Sequence, residues 1–198
     1  MDALKADTFR LFGRFSWLLA AKAMVSNQAF LVVAAVRCCQ SAQRQPVFWR
    51  KLLLLPARVL HLLACRAAGI ELPWRTAIKP GLALTHGRGI VVNVNASIGQ
   101  NVTLFHGVTL GQRDAIASDG SRKTRYPVIE DNVWIGPYAI IAGVTVGKGS
   151  RIAGGACVLE DVPAHSIVVG NPGKIVKTGC APDVVNPWEI KKNHSGIV

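Results

Sequence analysis

Two histidines are the strongest candidates for a reactive site, because they occupy matching positions in a repeated pattern. His86 comes two residues after the aliphatic residue Leu84, and His106 comes two residues after Leu104. If these leucines stack on successive coils of one solenoid, the two imidazoles lie about one inter-strand spacing apart, ~5 Å. Such a pair could provide a general base with a neighbour, or two ligands of a metal ion. A metal site needs a third ligand, and His165 does not have the matching register.

An aliphatic residue that recurs every six positions is the pattern that places these histidines. A period of six fits neither an α-helix, at 3.6 residues, nor a half-buried strand, at 2. It is typical of a parallel β-helix, in which three short strands and three corners make one coil. We therefore predict a mainly β chain with repeats from Ile78 to about Val176. The repeated residues are Ile78, Leu84, Ile90, Ile98, Leu104, Leu110, Ile129, Ile135, Ile141, Val146, Ile152 and Val158.

One interval in the repeat is longer than six residues. Ile90 and Ile98 are eight residues apart, and we expect the two additional residues to bulge near Asn93–Asn95. With this interval, Leu84 and Leu104 are three steps apart, which is one complete coil. The two histidines should therefore be equivalent on adjacent coils.

A long polar excursion interrupts the repeat between Leu110 and Ile129. It supplies a predicted loop over residues 111–127 that is rich in arginine and lysine. A long loop that leaves a tight coil is usually functional or disordered. We expect it to leave from the same corner at which His86 and His106 project.

The first seventy residues are predicted to form a basic amphipathic helical segment. Residues 1–70 contain ten Lys or Arg and two Asp, within a net charge of +12 for the chain. The longest uncharged run, residues 23–36, is too short to span a bilayer. We expect the segment to cover one end of the β-helix or to join subunits, to contact an anionic membrane surface, or to do both. The sequence contains no groove-reading motif, so we do not expect nucleic-acid binding.

The remaining features concern compartment and boundaries. The five cysteines are odd in number and lack the spacing of a disulfide framework, which indicates a reducing, cytoplasmic setting. We expect no signal peptide, since no cleavage site follows a short apolar run. We predict a β-helical domain over residues 71–177 and a C-terminal tail over residues 178–198.

Several motifs resemble those of the hexapeptide-repeat serine O-acetyltransferase family. They are THGRGIVV at 85–92, GVTLG at 107–111, RYP at 125–127, DNVWIG at 131–136, DVP at 161–163 and GNP at 170–172. The resemblance covers about residues 70–177. It implies a left-handed β-helix, a homotrimer with sites between neighbouring subunits, and acetyl-CoA as donor, with no metal.

The resemblance also assigns catalytic and coenzyme-binding residues. It implies that His86 is the general base that takes the proton of an attacking hydroxyl. It implies that Glu71, fifteen residues earlier where the family carries Asp, orients this histidine. His106 is a further catalytic candidate. The implied coenzyme A contacts are Gly111, Gly136, Ala139, Ala153, Gly154 and Lys174.

The acceptor is predicted from departures from the family pattern. Thr85 and Tyr126 replace an Asp and a His that help to hold the amino acid, whereas Arg125 remains to meet a carboxylate. His106, in place of the usual Gln, resembles related O-acetyltransferases of capsule and colanic-acid biosynthesis. We therefore predict a sugar hydroxyl of a surface polysaccharide, or of its lipid-linked precursor, as acceptor, with L-serine as the alternative.

Two interpretations from other classes stay open. One is a metal-dependent β-helix enzyme of the carbonic-anhydrase type, which tightly bound zinc would indicate. The other is a non-catalytic β-helix that scaffolds partners, which the absence of acetyl-CoA binding would favour.

Overall fold

The computed structural model describes residues 2–189, which form four α-helices followed by a stack of short strands. The helices are α1 (Asp2–Phe12), α2 (Trp17–Ser26), α3 (Gln28–Gln43) and α4 (Val47–Ala68). The strands are β1 (Ala77–Ile78), β2 (Ala83–Thr85), β3 (Val91–Val92), β4 (Ser97–Ile98), β5 (Thr103–Phe105), β6 (Thr109–Gly111), β7 (Arg113–Ile116), β8 (Arg122–Arg125), β9 (Val128–Ile129), β10 (Trp134–Ile135), β11 (Ile140–Ala142), β12 (Thr145–Val146), β13 (Arg151–Ile152), β14 (Cys157–Val158), β15 (Ile167–Val169) and β16 (Lys174–Lys177).

The helix ends are set by local capping residues. The Ser16 side chain accepts the Leu19 N–H at 3.1 Å at the start of α2, and Asn27 accepts the Phe30 N–H at 3.0 Å at the start of α3. Such side-chain acceptors satisfy N–H groups that have no partner in the first turn. Gly69 ends α4 in the left-handed conformation that favours glycine. These caps set where α2 and α3 begin and where α4 ends.

Most of the strands form three parallel sheets that wrap around one core. Sheet 1 has the order β1-β4-β9-β12, sheet 2 has β2-β5-β10-β13-β15-β16 and sheet 3 has β3-β6-β11-β14. Only β16 is antiparallel within these sheets. Aliphatic residues from successive coils pair in register, for example Leu84 with Leu104 and Ile98 with Ile129. The prediction of a parallel β-helix, in which these two leucines are one coil apart, is confirmed.

The longer interval lies at a different corner from the one predicted. Val92, rather than Ile90, is the inward residue of β3, so the two additional residues lie between Thr85 and Gly89. Asn93–Asn95 is therefore not the bulge. Both Ile90 and Val92 are buried, so hydrophobicity alone cannot tell which of them belongs to the strand.

The 111–127 excursion is a hairpin of antiparallel strands β7 and β8. It leaves after β6 and returns before β9, at the corner between sheets 3 and 1. His86 and His106 follow β2 and β5, at the corner between sheets 2 and 3. The expectation that hairpin and histidines share a corner is wrong, because the chain passes through β3 or β6 between the two places.

A buried ion pair joins the helices to the first coil. The Arg37 Nε of α3 donates to the Asp7 carboxylate of α1 at 2.8 Å, and both side chains are almost completely buried. Asp7 also accepts the N–H groups of Gly81 and Leu82 at 2.8 and 2.9 Å. Arg37 donates to the carbonyl groups of residues 78–79. The helices therefore cover the first coil through a polar contact that uses the free backbone groups of the coil.

Residues 180–188, which we name the strap, run along the outside of the β-helix. The Cys180 N–H donates to the His165 carbonyl at 2.8 Å, on the last coil. At the other end, the Trp188 N–H donates to the Asn101 side chain at 2.9 Å, near the first coils. The strap therefore crosses several coils on the side where α1 packs.

The helices hold more residues than the strands within residues 2–189, so the fold is mixed α and β rather than mainly β. The fourteen-residue uncharged run that the sequence shows lies partly in α2 and partly in α3. No helix in the described part of the chain is both long and apolar enough to cross a membrane.

Candidate active site

His86 and His106 are neighbours at the corner between sheets 2 and 3. The parallel register of β2 and β5 sets Thr85 opposite Phe105, and each histidine follows its strand directly. The ring centroids are 6.3 Å apart and the ring planes are inclined by 75°. The separation exceeds one strand spacing, because the first coil has two additional residues at this corner.

The loop that carries His86 is held in an unusual backbone conformation. His86 has a φ of 50°, in the left-handed region that few residues other than glycine adopt. The next residue, Gly87, lies so close to α3 that a Cβ atom there would be 2.8 Å from the Ala29 Cβ. Helix α3 therefore fixes this loop and projects the imidazole outward, at a backbone cost typical of functional positions.

His106 packs against an aromatic residue of the next coil. Its ring meets Tyr138 edge to face, with centroids 5.0 Å apart. Gly107 makes this possible, since a Cβ atom there would come within 2.4 Å of the Tyr138 ring. The Nδ1 atom of His106 is buried and has no hydrogen-bond partner among residues 2–189. His86, His106 and Tyr138 thus form a column along one corner.

Two hollows meet at His86. The first, the helix-side cavity, has a volume of about 440 Å³ and lies between α1, the α2–α3 junction, sheet 2 and the strap. The second, the corner groove, is more open, measures about 590 Å³ and runs along His86, His106 and Tyr138. Within the part of the chain that the structure describes, His86 alone borders both hollows. A base in this place can reach one molecule in each.

Comparison with known proteins gives the family. Residues 126–160 match the bacterial transferase hexapeptide (six repeats) family. The serine acetyltransferase of Bacillus pumilus is 38% identical over 130 residues, 65% of this chain and 58% of that protein. The soybean serine acetyltransferase complexed with serine is 30% identical over 88% of this chain and 68% of that chain, with a TM-score of 0.67. The chain belongs to the serine acetyltransferase family.

A further structure of the family, the serine acetyltransferase of Neisseria gonorrhoeae, has a TM-score of 0.69 and is 28% identical over 89% of this chain and 65% of that chain. The aligned part of this chain spans about half the length of the curated relatives that it matches. These relatives contradict the predicted polysaccharide acceptor, since they are consistently serine acetyltransferases. The prediction from Thr85, Tyr126 and His106 is wrong, because these are three positions within a segment that is 38% identical over 130 residues to a serine acetyltransferase.

Glu71 does not meet His86 in the single chain of this family member. Its backbone pairs with Val91 of β3, and its side chain is exposed. It lines a shallow depression with Gly89 and Ile90, on the far side of the histidine loop. No hydrogen bond joins Glu71 to His86 among the described residues.

Arg125 and Tyr126 also lie away from the histidines. Arg125 ends β8 and donates to both oxygens of Asp161 at 2.9 and 3.0 Å. The Thr145 N–H and Arg125 together hold the pKa of the Asp161 carboxyl below its usual value. Tyr126 follows directly in the chain, and neither residue lines the helix-side cavity or the corner groove.

Four of the six residues assigned to coenzyme A share the histidine corner. Gly136 and Ala139 lie between β10 and β11, and Ala153 and Gly154 lie between β13 and β14. They form a ladder of small residues above the corner groove, in which a Cβ atom on Gly136 would be 2.7 Å from the Gly154 nitrogen. The other two are elsewhere: Gly111 ends β6 and Lys174 begins β16.

The structure adds site residues that the sequence did not reveal. Phe105 and Trp134 point outward from sheet 2 into the helix-side cavity, with ring centroids 4.9 Å apart. Arg10 and Asp183 line the same cavity from α1 and from the strap. The alternation of β5, with Leu104 inward, could have identified Phe105, but no local pattern brings the two ends of the chain together.

A metal-dependent enzyme would need a cluster of side chains that can bind a metal ion. Within residues 2–189, no group of three or more His, Cys, Asp or Glu side chains lies close enough to hold a metal ion.

Proposed function

We propose that this chain is an acetyl-CoA-dependent serine O-acetyltransferase in which His86 is the general base. The observation that carries the proposal is the position of His86 between the helix-side cavity and the corner groove. The relatives that are named serine acetyltransferases supply the reaction. L-Serine enters the cavity, and the acetyl thioester lies in the groove.

The reaction needs one proton acceptor and no covalent enzyme intermediate. An alcohol is a poor nucleophile, and a neutral imidazole can take its proton near neutral pH as the oxygen attacks the thioester carbonyl. The tetrahedral intermediate then expels the thiolate of coenzyme A, and the imidazolium returns the proton to it. The products are O-acetylserine and coenzyme A. Backbone N–H groups at the corner stabilise the oxyanion.

The donor is proposed to lie along the ladder of small residues above His106. Of these residues Gly154 is exposed and Ala153 is half-buried, so an extended molecule can approach the backbone closely there, while Gly136 and Ala139 are buried beneath the corner. Gly111 and Lys174 would contact it from the neighbouring corner and from the last coil. The 66% exposed Tyr138 side chain would mark the lower end of the track.

Arg125 and Tyr126 reach a histidine only in an assembly. The hairpin and the histidines occupy two different edges of a triangular coil. We propose a left-handed β-helix that assembles as a homotrimer, in which the hairpin edge of one subunit meets the histidine edge of the next. In this arrangement Arg125 binds the carboxylate of the acceptor, and Glu71 orients His86 once the loop is packed.

The test measures acetyl-CoA consumption with L-serine and identifies O-acetylserine by mass spectrometry. We expect turnover by the unaltered protein, a loss of about 10²- to 10⁴-fold in kcat for His86→Asn, and largely retained activity for His106→Gln, which carries the family's usual residue. Full activity of His86→Asn would remove it from the role of base.

Shared sites can be tested by mixing inactive subunits. Co-expression of His86→Asn with Arg125→Ala chains under two affinity tags gives mixed assemblies. If each site combines two subunits, the mixed assemblies recover activity that neither variant has alone. Mixed assemblies of three-subunit mass without recovered activity would contradict the shared site.

A second proposal concerns an apolar face of α4. Phe48, Leu52, Leu55, Val59 and Leu63 recur at helical spacing and are 49–73% exposed. No acidic residue occurs between residues 8 and 70, whereas α4 carries Arg50, Lys51, Arg58 and Arg66. A cationic helix with an exposed apolar face repels a second copy of itself and is attracted to anionic lipid. We propose that it contacts an anionic membrane surface.

Vesicle flotation tests this contact. We expect co-flotation with vesicles that contain phosphatidylglycerol, weaker binding at high salt, and loss of binding for Leu52→Glu with Leu55→Glu. Ile116→Glu is the matched control, because this exposed aliphatic residue lies in the distant hairpin. Equal flotation of both variants would contradict the assignment, as would a doubled mass in solution that the α4 changes abolish.

A further inference from the structure

The helix-side cavity has charged groups of opposite sign in its wall. Its volume of about 440 Å³ lies in the range typical of small-molecule sites. Arg10 lines it from α1, while Asp7 and Asp183 are the two carboxylates in its lining. If the proposed function holds, the acceptor in this cavity carries an ammonium and a carboxylate group, and each needs a partner.

Asp7 is not available to an acceptor. Its side chain is fully buried, and both oxygens are bound by Arg37. One of these oxygens also accepts the N–H groups of Gly81 and Leu82. All of this binding capacity serves the contact between α1, α3 and the first coil.

Asp183 is the available carboxylate. Its side chain is 41% exposed, and its Oδ2 lies 3.0 Å from the Arg151 Nη1. The Arg151 guanidinium stacks over the Trp134 ring, 4.5 Å from the centroid, which holds it beside the cavity wall. The other oxygen of Asp183 has no hydrogen-bond partner among residues 2–189, so it can accept from a bound ammonium group.

Hydrogen bonds made by strap residues before and after Asp183 fix its position. The Cys180 N–H donates to the His165 carbonyl before it, and Arg10 donates to the Val185 carbonyl after it. Arg10 itself donates to the Thr103 hydroxyl at 2.6 Å. The same guanidinium therefore closes the strap over the cavity and contributes a positive charge to its wall. Burial lowers the pKa of Arg10 to about 10, so it stays charged at neutral pH.

We propose that Asp183 binds the ammonium group of the acceptor, whose carboxylate is bound by Arg125 in the assembly proposed above. The strap then forms the outer wall of the acceptor site, and the hydroxyl of the bound amino acid is directed toward His86. This proposal rests on the proposed serine acetyltransferase function.

The test is Asp183→Asn, which keeps the shape of the side chain and removes its charge. We expect the KM for L-serine to rise about 10- to 100-fold, the loss that follows removal of a charged hydrogen bond. The kcat and the KM for acetyl-CoA should change little. The preference for L-serine over 3-hydroxypropionate, which lacks the ammonium group, should fall by the same factor.

Arg151→Gln is the matched control, because it breaks the same salt bridge but keeps the carboxylate. We expect its KM for L-serine to stay the same or to fall. An equal rise of KM in both variants would assign Asp183 a structural role and overturn the proposal. An unchanged KM for L-serine in Asp183→Asn would also overturn the proposal, while leaving the proposed function intact. Absence of L-serine turnover by the unaltered protein would overturn the proposed function and this proposal with it.

Discussion

The buried Asp7–Arg37 pair gives a sharp test of how the helices are held on the β-helix. Asp7→Ala removes two contacts from Arg37 and the acceptor of two backbone N–H groups. The Arg37 side chain, only 7% exposed, then keeps a charge without its counter-ion. Breaking a buried pair from one side costs about 3–5 kcal/mol. We expect a loss near the middle of this range, a large part of the ~5–15 kcal/mol that stabilises a typical domain.

Urea unfolding at a fixed protein concentration measures the loss, as a fall in the midpoint at constant slope. Asp2→Ala is the control, since this carboxylate of the same helix is 88% exposed and lies 3.8 Å from the Lys5 ammonium. It should change stability by less than about 0.5 kcal/mol. A double-mutant cycle with Arg37→Met checks the mechanism, because removing both charges should cost less than the sum of the single changes. A cost below about 1 kcal/mol for Asp7→Ala would refute the reasoning, because an unpaired buried charge cannot be that inexpensive.

Three further predictions follow from contacts at the corners. Gly107→Ala should lower stability by about 1–3 kcal/mol in thermal unfolding, because its Cβ meets the Tyr138 ring and its φ is 68°. Asp161→Asn should weaken the loss of stability in acid: the depressed pKa of Asp161 contributes stability above the unfolded pKa of ~3.9, and this is lost as pH falls through the folded value. Acid denaturation of the unaltered protein and of Asp161→Asn, compared over the same pH range, measures this difference, and an equal acid loss in both would contradict it. Glu71→Gln should lower kcat without changing the KM for L-serine if the carboxylate orients the base, and equal kcat would exclude that role.

The repeat was predictable because it is a hydrophobic signal with a fixed period. The inward side chains of β2 and β5 stack in register, as the spacing of Leu84 and Leu104 predicts. The corner that holds the two additional residues was predicted wrongly. Ile90 and Val92 are both buried, although Ile90 lies at a corner and Val92 lies in a strand. A period identifies the coil, but it does not divide each coil into strand and corner.

The candidate site could be predicted only where it belongs to the repeat. His86 and His106 were found because both follow inward leucines. Asp183 lies in a segment without any pattern, and it comes to the cavity through hydrogen bonds made by backbone groups of the strap. Such contacts depend on groups that every residue carries, so side-chain identity gives no signal for them.

Equivalent positions of a β-helix repeat the same backbone conformation, so a residue that departs from the column is informative. Gly89, Gly107 and Gly155 have φ values of 65–71° at the corner between sheets 2 and 3. Tyr138 occupies the same position of the column with a φ of 58°, since its N–H donates to the His106 carbonyl as the Gly107 N–H donates to the Arg88 carbonyl. A tyrosine in this conformation costs about 1 kcal/mol relative to glycine.

His86, two coils from Tyr138, also has a positive φ, 50°, but it lies within the two-residue insertion, and Gly89 holds the column position on its coil. At the corner between sheets 2 and 3, the two residues other than glycine with a positive φ among residues 2–189 are thus the two that flank His106 along the corner groove. The other described coils place glycine at the position of Tyr138. The strain at His86 and Tyr138 has no benefit for the coil itself, because both side chains point outward from its core. It is explained if the two side chains contact molecules that bind in the groove, which places the chemistry of this protein in the irregularities of its repeat.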